Sequence, residues 1–386
     1  MKVAYYTSTF FMDVMLETIQ AIKNKVELYV FIEISENSKN ATLLNVESIE
    51  KFNFIEEPEI VIGQEKWKYF KPYFDGVKSV KFVVFKNKKS FSLNTIIKTY
   101  YLGIYLKKLN VSIFHFDNIS QRSLGLYFFL KKINTCISIH DPKSHTGEEN
   151  WRDDIVNKVY YKLSKGFVFY STFSKKEFSR IYPNIKSPFR VISLLPYTYI
   201  RNFLRKTKED YILFFGRLSY YKGIDILLHS IPKVLDKFPN QKFIIAGSNQ
   251  YDYSLNEFKN QKLYDNVKFI DKYLSIEEVA EYISCSKFIV CPYREATQSG
   301  VLMTAFASDK FVITTNVGSF NEYVINGQNG IVINPDADSL SIGIINALHK
   351  SNYKRYNTKY SSYKYAHKID DIGNTLFDLY ERISVK

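Results

Sequence analysis

The chain has 386 residues, 46% of them hydrophobic and 24% charged, with a formal net charge of +14. That length is too great for one ordinary core, so two domains are expected, and the composition suffices to pack both. No apolar run approaches about 18 uncharged residues, which excludes a membrane-spanning helix. The three cysteines, Cys136, Cys285 and Cys291, have a spacing that fits neither a zinc site nor a disulfide framework, so buried free thiols of a reducing cytoplasm are expected.

The chain opens as a strand (Val3–Tyr6), not as a signal peptide. A loop, Thr7–Phe11, and a helix to about Lys23 follow. Strands are expected at Glu27–Ile32, Val80–Phe85, Val111–Phe116, Thr135–Ile139 and Gly166–Tyr170, with helices at Leu93–Leu109 and Ser171–Ile181. This alternation predicts a doubly wound sheet. Three prolines between Pro183 and Tyr199, a strand at Val191–Leu195 and the charged run 201–210 mark a linker. The alternation then restarts with strands Tyr211–Phe215, Lys242–Ala246, Val267–Ile270, Lys287–Pro292, Phe311–Thr315 and Gly330–Ile333. Ser275 and Glu278 form a capping box for the helix after Leu274. Asp336 and Asp338 suit the start of a helix at Ser339–His349. An amphipathic helix, Asp370–Ile383, closes the chain. The expected division is 1–200, 201–365 and 366–386, the last piece packing back on the first domain.

Charge is uneven. Residues 1–200 carry 29 of the 53 Lys and Arg but 19 of the 39 Asp and Glu. Eight lysines between Lys66 and Lys89 are interleaved with Trp67, Tyr69, Phe70, Tyr73, Phe82 and Phe85. Two readings stand for this cluster: contact with an acidic surface, whether anionic lipid, an anionic acceptor or nucleic acid, or a solvated face over ordinary core aromatics. No nucleic-acid-binding signature accompanies it.

Four stretches carry candidate chemistry. Gly216 ends a buried strand, and Arg217, Lys222 and Gly223 follow before a helix whose apolar face is Ile224, Leu227, Leu228, Ile231 and Leu235. Two cations at a strand–helix junction suit a phosphorylated ligand, because the helix start adds unpaired N–H groups and a positive dipole end. The alternative is a pair of surface residues on a βα loop. The second stretch runs from Cys291 to Ala307. There Gly300 and Val301 begin a helix whose N–H groups face an anion, and Glu295, Thr297, Gln298 and Ser299 are placed to bond hydroxyls; a plain Ser/Thr cap is the alternative. The third, Asn316–Val332, contains Glu322 in a first helical turn and the turn glycines Gly327 and Gly330. The fourth is Ser138–Gly147, where His140 and Asp141 end a strand. A histidine there donates to a sugar oxygen, shuttles a proton or is structural, and His145 is a second candidate.

Together, Gly216-Arg217-Leu218 with Lys222-Gly223, Pro292-Tyr293 with Ser299-Gly300-Val301 and Ala305-Phe306-Ala307, and Val317-Gly318-Ser319 with Glu322 and Asn326-Gly327 resemble glycosyltransferase family 4. The resemblance is specific over Tyr211–Pro335 and looser over His140–Phe178. It implies an α/β GT-B fold, two Rossmann-like doubly wound domains facing across a cleft. It implies a retaining, metal-independent transferase that takes a nucleotide-diphosphate sugar as donor substrate and needs no cofactor. Arg217 and Lys222 then bind the diphosphate with the Gly216–Val301 surround, and His140 lies beside the transferred sugar. The family's two glutamates fall on Ala296 and Thr304, so Glu295 acts from a shifted loop or the acid is absent, and the usual ribose contact is either a weaker bond from Thr304 or one from another residue. The acceptor is expected to be a hydroxyl of a glycan or lipid-linked glycan in surface polysaccharide assembly, at the inner face of the cytoplasmic membrane. A nucleotide-sugar epimerase and a non-catalytic sugar-nucleotide binder are the rival readings. Asp336-Ala-Asp338 also fits the metal string of a single-domain transferase class and is read here as a helix cap.

Overall fold

The computed structural model describes residues 1–41, 43–144, 146, 150–248, 265–355 and 362–384. The chain forms two compact units. One comprises Met1–Ser144, Glu149–Leu195 and Ser362–Lys386; the other comprises Pro196–Ser361 with the short piece His145–Glu148.

The first unit holds strands β1 (Lys2–Ser8), β2 (Glu27–Ser35), the two-residue pair β3 (Asn40–Ala41) and β4 (Leu44–Asn45), β5 (Ile55–Glu56), β6 (Ser79–Phe85), β7 (Ile113–Phe116), β8 (Asn134–Ile139), β9 (Gly166–Phe169) and β10 (Phe189–Val191). Among the described residues the main sheet runs β10-β9-β8-β7-β1-β2-β6-β5, parallel except where β5 edges β6. Strand order reverses between β1 and β7, which opens a crevice at the carboxyl ends of those two strands. The core is aromatic: Tyr6, Phe31, Phe85, Phe114, Phe116, Tyr160 and Phe167 interlock with the aliphatic residues of the flanking helices. One correction to the sequence reading arises here. The strand expected at Val191–Leu195 is β10, displaced toward Phe189, and Leu194 and Leu195 are buried by packing instead of by a ladder. Residues 55–70 form β5 and two short helices, Pro58–Ile62 and Gln64–Phe70, separated by Gly63 at φ +87°.

The Lys66–Lys89 cluster turns most of its rings inward. Phe70, Phe82 and Phe85 are core residues, Trp67 stacks on Phe74 at 5.3 Å, Lys68 pairs with Glu65 and Lys81 with Glu57.

The second unit is an all-parallel sheet of β11 (Tyr211–Phe215), β12 (Lys242–Ala246), β13 (Val267–Ile270), β14 (Ser286–Cys291), β15 (Val312–Thr315) and β16 (Gly330–Ile333), ordered β13-β12-β11-β14-β15-β16. Its order reverses between β11 and β14. The unit starts at Pro196, a few residues before the expected boundary, because the segment after it is tied to the helix Gly300–Ala307. Tyr197 N–H donates to the Met303 carbonyl at 3.4 Å, and Arg201 Nε donates to the Ala307 carbonyl at 2.8 Å. The capping box of Ser275 and Glu278 is present. Asp336 accepts from Ser339 N–H at 2.7 Å and Asp338 pairs with Lys233, so the Asp336-Ala-Asp338 string caps its helix.

The last described helix, Ser362–Ser384, belongs to the first unit. Ile372, Leu376, Leu379, Tyr380 and Ile383 are buried, and the helix lies along the helix Met12–Ile22 and the β8–β10 side of the sheet. No described helix is long and apolar enough to cross a membrane.

Candidate functional site

In the second unit the two loops that leave β11 and β14 meet at the reversal point. Gly216 takes φ +114°, which favours glycine, and the position of an added Cβ lies 3.2 Å from both Lys222 Nζ and Val301 Cγ2. The Lys222 ammonium, the Gly216 backbone and the start of the helix Gly300–Ala307 therefore share one small space. Lys222 is 7% exposed; its Nζ donates to the Tyr293 hydroxyl at 2.9 Å and sits 4.6 Å from that ring's centre. Burial holds the Tyr293 phenol protonated well above its ordinary range. Burial also pushes the Cys291 thiol up to about 12, with Lys222 pulling it back. Arg217 is exposed, and its Nη2 donates to the Tyr221 hydroxyl at 3.2 Å. Both predicted cations thus lie against Tyr221, whose ring centre is 5.7 Å from Lys222 Nζ.

Arg294, to which the sequence reading gave no role, fixes this turn. Its guanidinium grips Asp225, with Nη1 to Oδ1 at 2.8 Å, and donates to the Tyr220 carbonyl at 3.1 Å; its N–H donates to the Tyr221 carbonyl at 2.7 Å. One residue of the β14 loop so holds the 220–222 turn at two carbonyls and the helix that follows it at Asp225. Gly223, at φ +65°, lets that loop approach: a Cβ there would stand 2.0 Å from the Pro292 carbonyl oxygen.

The other predicted residues of this unit are placed as follows. Ser299 caps the helix, accepting from Leu302 N–H at 3.2 Å, and the Tyr197 ring lies 3.2 Å from the Cβ position of Gly300. Thr297 is buried and Gln298 half-buried in the loop between them. Glu295 is half-buried and accepts from Thr146 Oγ1 at 2.7 Å. Thr304 turns its hydroxyl into its own helix, 2.8 Å from the Gly300 carbonyl. Glu322 lies exposed in the short helix Phe320–Tyr323.

His140 belongs to the first unit, at the carboxyl end of β8. It is buried, its ring flanked by Phe11 at 4.2 Å and Tyr170 at 4.8 Å, and its Nε2 is 3.4 Å from Asp117 Oδ1. Asp117, which sequence reasoning missed, also accepts from Tyr5 at 2.9 Å, Thr7 at 3.0 Å and Tyr170 at 3.0 Å. Burial alone would raise its pKa, but these donors and His140 outweigh burial and hold it below the usual carboxylate range. Burial pushes Asp13, nearby, up to about 6 and drops His115 to about 4. His145 lies outside the described residues. A cavity of about 550 Å³ opens here, lined by Glu33, Asn118, Gln121, Arg122, His140 and Asn150 among others. Glu33 is held by the Tyr6 hydroxyl at 2.7 Å and the Ser120 hydroxyl at 2.8 Å, and burial raises its pKa. Among the described residues, no three His, Cys, Asp or Glu gather as a metal site.

Two Rossmann-like units of this kind define the GT-B fold, and solved structures with that fold align with nearly the whole chain. Sucrose-phosphate synthase of Thermosynechococcus elongatus aligns with a TM-score of 0.62 and 16% identity, over 100% of this chain and 96% of that one. Anabaena HepE, solved with UDP and glucose, aligns with a TM-score of 0.63 and 13% identity, over 98% of each chain. At the level of sequence, the family described as glycosyl transferases group 1 matches residues 209–350, the span that holds Arg217, Lys222 and Gly300. An uncharacterized glycosyltransferase of Methanocaldococcus jannaschii is 28% identical over 178 residues, 45% of each chain. The chain thus spans under half the length of the curated relatives it matches.

Proposed function

We propose that this chain is a glycosyltransferase that moves a sugar, with retention and without a metal, from a nucleotide-diphosphate donor held by the second unit to a hydroxyl of a glycan acceptor held by the first. The observation that carries this reading is the convergence of Lys222 Nζ, the Gly216 backbone and the Gly300–Val301 helix start at the reversal point of the second sheet. A departing diphosphate gathers negative charge, and preorganised cations and N–H groups that meet that charge commonly supply most of the acceleration in such a transfer. Arg217 on Tyr221 and Lys222 on Tyr293 are two such cations, one planar and one compact. The UDP and glucose of the HepE structure support the donor class. Glu295 is the acid nearest in sequence to the family's donor-sugar glutamate. The amide- and hydroxyl-rich cavity beside His140 suits a polyhydroxylated acceptor.

The rival reading, a sugar-nucleotide binder without turnover, draws on the loss of the family's second glutamate at Thr304, whose hydroxyl bonds back to the Gly300 carbonyl. One set of measurements separates the two. A panel of nucleotide diphosphates and their sugars should include a compound that raises the melting temperature, since a ligand bound only by the folded state stabilises it. That donor should be hydrolysed or transferred at a rate EDTA leaves unchanged. Arg217→Ala should lower turnover at least about 100-fold with an unaltered melting temperature. Binding without turnover of any donor supports the binder, and a near-normal Arg217→Ala enzyme refutes the diphosphate site.

A further inference from the structure

The first half of the helix Leu93–Leu109 is built inside out. The helix's buried positions are Thr95, Thr99, Leu102, Gly103 and Leu106, whereas Leu93 (74% exposed), Ile96, Ile97, Tyr100 and Tyr101 (62%) face outward. An ordinary surface helix does the reverse. The cause is the close approach of the segment Gln121–Leu130. The Phe129 ring lies 2.2 Å from the Cβ position of Gly103, and the Thr99 hydroxyl lies 2.2 Å from that of Gly125. Only small or short side chains fit that seam over the first turns, so Ile96, Ile97, Tyr100 and Tyr101 are turned away from the core, while Leu102 and Leu106 further along enter it. Phe91, two residues before the helix, and Phe128, in the segment packed against it, are also exposed, at 40% and 68%.

Cations surround it. Residues 86–132 contain nine Lys and Arg, and their one acid is Asp117, which is fully buried. Lys88, Lys89, Lys107, Lys108, Lys131 and Lys132 are exposed. From the other elements, Glu50 faces Lys98. A protruding apolar ridge with a tyrosine fringe and a lysine border matches an interfacial membrane element, in which aliphatic and aromatic groups enter the boundary of the acyl chains and ammonium groups meet lipid phosphates.

We propose that this face of the first unit docks on an anionic lipid bilayer through Leu93, Ile97, Tyr101 and Phe128. The face also shares a wall with the acceptor cavity. Ser90, Gln121 and Arg122 line that cavity, and Arg122 Nη2 donates to the Lys88 carbonyl at 3.2 Å. The docking rests on this surface alone. Its consequence, that the acceptor is presented at the bilayer, rests on the transferase reading above.

Flotation of the full chain with vesicles tests it. The protein should rise with equimolar phosphatidylglycerol and phosphatidylcholine vesicles and not with phosphatidylcholine alone. Ile97→Glu combined with Tyr101→Glu should weaken anionic-vesicle binding at least about tenfold. Replacing Lys88, Lys89, Lys107 and Lys108 with Ser should weaken it as raised salt does. The milder pair Ile97→Ser and Tyr101→Ser reads the same face if the glutamates disturb folding. Wild-type failure to float, or variants that float like wild type, overturns the proposal. So does a wild-type dimer by light scattering that Ile97→Glu dissolves, which assigns the face to a second copy. The variants should retain the donor-induced rise in melting temperature, so loss of docking and loss of the donor site are separate results.

Discussion

Asp13 stands in the first turn of a helix, where the macrodipole ordinarily favours a carboxylate, yet burial pushes its pKa up to about 6 from 3.8. Between those values the folded chain holds a proton that the unfolded chain has released, so stability falls as pH rises through the window. His115 acts oppositely. Its imidazole stays neutral down to about 4, so stability is lost as pH falls from 6.5 toward 4. Asp13→Asn keeps an oxygen for the Val14 N–H, which Asp13 Oδ1 now accepts at 2.9 Å. The variant should therefore outlast the wild type at pH 8, by at most about 3 kcal/mol. The two should converge near pH 4. Melting curves across pH 4–8 decide this, and a difference that does not change with pH defeats the argument. The placement of His140, Arg217 and Lys222 beyond strand ends was legible because each falls within a short, patterned stretch. Asp117 was not, since its partners Tyr5, Thr7, His140 and Tyr170 come from strands scattered along the sequence and only the parallel pairing gathers them.

Loops and helices show which local signals sufficed. The Ser275 capping box, the Asp336 cap and the range Leu93–Leu109 were readable from residue type and period. The outward turn of that last helix was not, because the seam against Gly125 and Phe129 is a tertiary fact. Gly223 also reveals its role only in three dimensions. Gly223→Ala combines a left-handed φ with a Cβ 2.0 Å from the Pro292 oxygen, whereas Gly327, at φ +80°, has open space around its Cβ position. The first substitution should cost on the order of 2–4 kcal/mol and weaken donor binding by shifting the β14 loop, and the second about 1 kcal/mol with binding intact. Urea titration and ligand titration of both variants check this. Equal costs would mean that backbone conformation, not the contact with Pro292, fixes the turn.

At the scale of the molecule, the restart of β/α alternation announced two sheets, and their parallel order followed from it. The membership of the closing helix was expected but is specified by no local pattern. The Tyr380 hydroxyl meets His115 Nδ1 at 2.5 Å across 265 residues, and Leu379 and Ile383 lie over Gly166. Each such buried apolar side chain contributes about 1.5–3 kcal/mol. Removing 362–386 should leave the first unit open to protease while the second keeps its ligand-induced protection. Limited proteolysis with mass spectrometry measures this, and an equally resistant first unit would show the helix to be dispensable.

That topology sets an order of events during synthesis. The sheet that emerges first from the ribosome lacks one wall of its core until the final turns have been translated, while Pro196–Ser361 carries its whole sheet in one continuous stretch. The nascent early half therefore waits, with Cys136 and the rings around His115 exposed to chaperones, for a helix that begins 167 residues after Leu195.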